Sequence, residues 1–161
     1  MKKIIDEIVK FILDNNPYFG SGSFVFSSGV REVFPDDTRG NYFYVRLPDE
    51  IRISNDKAYS VAGCSVPAGI EARATLVACV KNADIFILAE NLVNTMQAIG
   101  LRPSGLILDP EAVIHKEIKE AEDRKRALAN VGDYSIISIN FEFRYPVNPR
   151  ELTCLPSPCS C

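Results

Sequence analysis

The residues in this chain able to do chemistry are few and scattered. One histidine, His115, falls in a charged stretch, and a histidine-based dyad would need Ser, Cys or Asp to converge on it. Nothing nearby in sequence supplies that, so it reads as a solvent-facing helical residue. Three cysteines, Cys154, Cys159 and Cys161, close the chain in the order C-x4-C-x-C. Thiolates take soft metals, but a closed zinc site takes four ligands, commonly from paired knuckles. Gly20-Ser21-Gly22-Ser23 has the composition of a phosphate cradle, yet such loops precede a helix, and the residues that follow read as a strand. Asp36 and Asp37 fall short of the regularly spaced oxygen donors a calcium cage requires. No carboxylate pair sits in an apolar setting that would drive acid–base work. The expectation is a non-enzyme with no catalytic residue, no metal ligand and no cofactor.

The elements around these residues are more definite. Asp133 to Tyr145 alternates, with Ile137, Ile139, Phe141, Phe143 and Tyr145 on one face and Ser138, Asn140, Glu142 and Arg144 on the other. Period two is the signature of a half-buried strand, here a long one near the carboxyl end. In Ile70 to Val80, Ala72, Ala74, Leu76, Ala78 and Val80 share a parity opposite Glu71, Arg73 and Thr75. Val77 and Cys79 make its far half apolar on both sides, which predicts a central strand.

Lys2 to Asp14 carries Ile5, Ile8, Val9 and Ile12 at helical spacing and stops before Pro17. Ala83 to Ile99 is a second helix, with cap candidates Asn82 and Asp84, a stripe at Ile85, Leu88, Leu92, Met96 and Ile99, and Gly100 as its stop. Phe24 and Phe26 share a face of one short strand. NYFYVRL reads as part of a hairpin or of two strands joined by a long loop, with shorter edge strands at Ile51 to Ile53 and Ala58 to Ala62. Asp109-Pro110-Glu111 opens a helical segment running towards Asn130 with a thin apolar stripe, on which Glu120/Arg124 and Glu122/Arg126 are spaced to pair. Such a segment is either a solvated face or a subunit contact.

At 161 residues the chain suits one domain. We expect an α+β fold, a mainly antiparallel sheet packed by two or three helices, over residues 1–146. An extended Pro- and Cys-containing tail over 147–161 would follow. Net charge −3 argues against a dedicated nucleic-acid binder. Cys64 and Cys79 read as core residues, and five cysteines with no recognisable export signal make a disulfide framework a poor expectation. No apolar run approaches bilayer length, so synthesis and folding in a cytoplasm are expected.

The order of these elements, from KKIIDEIVKFIL through RATLVACVKNADIFILAENLVNTMQAIG to SIISINFEFRY, resembles the neck and tail-terminator proteins of tailed bacteriophages over roughly Lys2 to Tyr145. The segment Glu111 to Asn130 and the tail after Pro146 depart from a minimal member. The resemblance implies a structural virion protein, assembled in the bacterial host cytoplasm and placed at the head–tail junction. Copies would form a ring of six or twelve, joined to portal or adaptor and tail proteins, passing DNA through a channel without specific binding and contacting no membrane. Interface candidates under that reading are Glu120, Arg124 and Arg126 in the charged segment, Arg150 in the tail, and Tyr42 and Tyr44. The two tyrosines have an alternative place on the second face of a layered sheet. The alternative function is a small cytoplasmic α+β enzyme or ligand-binding domain.

Overall fold

The computed structural model describes residues 2–24, 40–46, 52–54, 59–61, 64–66 and 69–145. The tail with Arg150 and its three cysteines, Asp36, Asp37 and Phe26 lie outside them. The chain runs α1 (Lys2–Asn15), β1 (Tyr42–Arg46), β2 (Arg52–Ser54), β3 (Tyr59–Val61), β4 (Cys64–Val66), β5 (Gly69–Lys81), α2 (Ile85–Ala98), β6 (Arg102–Ile107), α3 (Pro110–Glu117), α4 (Ala121–Ala129) and β7 (Tyr134–Tyr145). This is an α+β domain. Its five-stranded sheet has the order β1-β5-β7-β6, with β2 also paired to β5, and β3 and β4 form a separate two-stranded sheet. Every pairing between named strands is antiparallel.

The backbone of the sheet is the β5–β7 pair, in unbroken register from Ile70↔Tyr145 to Lys81↔Tyr134. A shared apolar parity makes that register the one that puts Ala72 to Val80 of β5 and Ile137 to Phe143 of β7 on one face. On the first face Ala72, Ala74, Leu76, Ala78, Val80, Ile137, Ile139, Phe141 and Phe143 meet the apolar stripes of α1 and α2. The alanines of β5 leave room for the larger side chains of β7 and the helices. Asp84 caps α2 through its carboxylate, accepting from the backbone N–H groups of Phe86 and Ile87 at 2.9 and 3.1 Å. The helix ends where Gly100 takes φ +77°, a conformation a Cβ disfavours.

The second face carries its own core of Tyr42, Tyr44, Val77, Cys79, Tyr134 and Ile136 beneath Val113, Ile114, Ile118 and Ala127 of the α3–α4 region. Three readings are corrected here. β7 is buried on both faces from Ile136 to Ile139, because α3 and α4 cover the side expected to face water. The charged segment is two helices, because Ile118 leaves helical geometry at ψ 118° and enters this core, ending α3. Tyr42 and Tyr44, 2% and 3% exposed, are core residues of the second face and present no surface to a partner. The pairing of NYFYVRL also differs from a local hairpin: β1 lies against β5, and Phe24 makes one parallel bridge to Phe43.

Candidate functional site

Cross-strand register turns the second face into a lattice of rows. The top row is Tyr42, Cys79 and Ile136, and below it come Tyr44, Val77, Ser138 and Ile107. The third row is Arg46, Thr75, Asn140 and Gly105, and the fourth is Arg73, Glu142 and Arg102. The first two rows are apolar apart from Ser138 and lie under the helices. Cover ends at the third, and Arg46, Arg73 and Arg102 are exposed. The polar residues collect on this border and the open ground beyond it.

Glu117, the last residue of α3, is buried there. Its Oε2 accepts from the Tyr44 hydroxyl at 3.3 Å and pairs with Arg46 Nη1 at 3.2 Å, while Oε1 is buried without a hydrogen-bond partner among the described residues. Burial and the neighbouring Glu117 carboxylate push the Tyr44 phenol far above its usual range, so it stays a donor. The Cys79 thiol is pushed up to about 12 by burial, against a small opposing effect of the Tyr42 hydroxyl, which leaves it protonated and inert. The cluster therefore holds one charge-assisted clasp between α3 and β1 and no activated nucleophile.

One strand pair further, Asn140 Oδ1 accepts from Thr75 Oγ1 at 2.9 Å and from Lys116 Nζ at 3.1 Å. With that oxygen doubly engaged, the amide nitrogen points at β6, where a Cβ on residue 105 would stand 3.1 Å from it; glycine makes the approach possible. In the fourth row Arg73 Nε donates to Glu142 Oε1 at 2.8 Å. Among the described residues, Lys116 and Arg102 carry no ion pair.

The candidates from the charged segment are not gathered here. Glu120 is the N-cap residue of α4 without a side-chain cap bond, and its carbonyl accepts from the Arg124 N–H at 3.0 Å. The Arg124 guanidinium donates to His115 Nδ1 at 3.4 Å, and Glu122 is held by Lys125 at 3.2 Å, one position short of Arg126. Glu120 and Arg126 are exposed. Sequence reasoning missed Glu117, Lys116, Arg46 and Arg102. The signal for the rest was the polar parity of Arg73, Thr75, Asn140 and Glu142, which only strand pairing converts into a patch.

Elsewhere on the surface, Phe86 and Ile87 in the first turn of α2 are 71% and 52% exposed, and Leu106 projects from edge strand β6. Among the described residues no group of His, Cys, Asp and Glu could hold a metal ion, and no helix is long and apolar enough to cross a membrane. Comparison with models of known protein families and with curated protein sequences gives no match.

Proposed function

We propose that the chain is a structural virion protein that assembles with copies of itself into a ring at the head–tail junction of a tailed bacteriophage. As a neck or tail-terminator ring it would join the portal or adaptor to the tail and let DNA pass through its channel. The observation that carries the reading is the unequal covering of the sheet. One face packs against α1 and α2, whereas the other is covered for two rows and then left as a polar strip bearing both signs of charge. A strip of that kind suits a repeated heterologous contact, which closes into a ring when the rotation per subunit divides a full turn. Exposed Phe86, Ile87 and Leu106 add apolar contact points of the sort that anchor interfaces. The element order that resembles neck and tail-terminator proteins supports the same conclusion.

The test is native mass by light scattering behind size exclusion, across protein concentration and under reducing conditions. The expected result is a discrete assembly of six or twelve chains that electron microscopy shows as a ring with an open channel. A monomer or dimer at every concentration, with no ring on the grid, counts against it.

A second reading, a small α+β enzyme or ligand-binding domain, is favoured by one observation: Glu117 Oε1 is buried without a partner among the described residues, beside a phenol held in its neutral form. A small molecule that raises the melting temperature of the wild type and leaves that of Glu117→Gln unchanged would support it.

A further inference from the structure

The open strip has a direction. Its carboxylates are engaged inside the subunit, Glu117 with Tyr44 and Arg46 and Glu142 with Arg73, while Lys116 and Arg102 keep cationic heads without a carboxylate. Between these two, the Asn140 amide nitrogen faces the gap that Gly105 leaves. Lys116 from α3, which donates to the Asn140 amide oxygen, Asn140 from β7 and Arg102 from β6 thus form a donor set on three elements with no paired carboxylate among the described residues, which is the chemistry that takes one.

The chain also carries a matching surface. The start of α4 presents Glu120, whose side chain makes no cap bond, and Glu122, which pairs with the solvent-exposed Lys125 one turn on. Both carboxylates are exposed, and a chain of net charge −3 has acidic surface to offer such a donor set. We infer that Lys116, Arg102 and Asn140 of one copy receive the Glu120 and Glu122 carboxylates of a second copy, so that this charged contact is the heterologous joint of the assembly. The inference rests on the ring reading and names its joint. Exposed charges matter here chiefly for orientation and partner choice, so the contact sets which surfaces meet more than how tightly they hold.

The experiment uses the full chain in two charge-reversed forms, one with Lys116→Glu and Arg102→Glu, the other with Glu120→Lys and Glu122→Lys. Each alone should associate roughly tenfold or more weakly than wild type, because like charges then face each other. Mixed in equal amounts they should recover, since every joint again pairs opposite signs. Circular dichroism and the urea midpoint of each variant verify folding. Should either variant fail to fold, the salt dependence of wild-type association replaces it, and association that does not weaken from low to high salt overturns the inference. Wild-type rings with both variants unaffected, or variants weakened without recovery on mixing, overturn the joint and leave the ring reading standing. Duplex DNA binding lost in the first variant while its association is unchanged overturns it in favour of a phosphate occupant. A wild-type chain that never associates overturns both.

Discussion

The two faces of one sheet are made by the same strands and yet do different work. The first face takes the residues of one parity from β5 and β7, apolar from Ala72 to Val80 and from Ile137 to Phe143, and packs them against α1 and α2. The second takes the other parity, is apolar but for Ser138 over two rows, and turns polar where α3 stops. Burial stabilises in proportion to the apolar area removed from water, so the first face holds most of the stability. The second gives up part of that area and gains an exposed patch with placed donors.

The largest expected effect lies on the first face. Phe141→Ala removes a fully buried ring from the centre of that core and should cost about 3–5 kcal/mol, read as a lower urea midpoint with an unchanged slope. A loss comparable to that of a surface substitution would mean that the first face is not the main core. Next comes the clasp at the border of the second face. Glu117→Ala strands a buried phenol and frees the half-exposed Arg46 to water, at a cost of about 1–3 kcal/mol. A double-mutant cycle with Tyr44→Phe should show the two substitutions to be non-additive; strict additivity would dissolve the clasp as a unit.

Asp84→Ala, which removes the α2 cap at the edge of the first face, should cost about 1 kcal/mol in thermal unfolding. The smallest effect belongs to the open rows. The Arg73–Glu142 pair is largely exposed, and its coupling energy by double-mutant cycle should fall below about 1 kcal/mol and shrink further in salt. A large coupling there would blur the contrast between a face that stabilises and a strip that adds little to stability.

Much of the first face is legible in the sequence because its signals are local. The stripe of α1, the Asp84 cap and Gly100 stop of α2, and the period-two runs of β5 and β7 each declare themselves within a short window. The second face is legible only in part, for reasons that are not local. No proline or glycine marks the break between α3 and α4; Ile118 ends the helix because the core beneath it takes its side chain. Tyr42 and Tyr44 read equally well as surface or interior until β1 is placed beside β5 and α3 above it. Arg73 and Glu142, or Thr75 and Asn140, are neighbours only through pairing between strands far apart in sequence. The strip was therefore present as a polar parity and invisible as a place.

The sheet order has a consequence for how the chain reaches its native state. β7 lies between β5 and β6, so β6 has no neighbour in the sheet until β7 arrives, and β7 is synthesised after every other described element. Its pairing with β5 closes a long loop that holds α2, β6, α3 and α4, and long-range closure of this kind slows folding. While the chain is still being made, Leu76, Ala78 and Val80 lack the strand that later covers their flank, which is the interval in which such surface invites aggregation. Shortening β7 from its carboxyl end should therefore lower the yield of soluble protein abruptly, not in proportion to the residues removed.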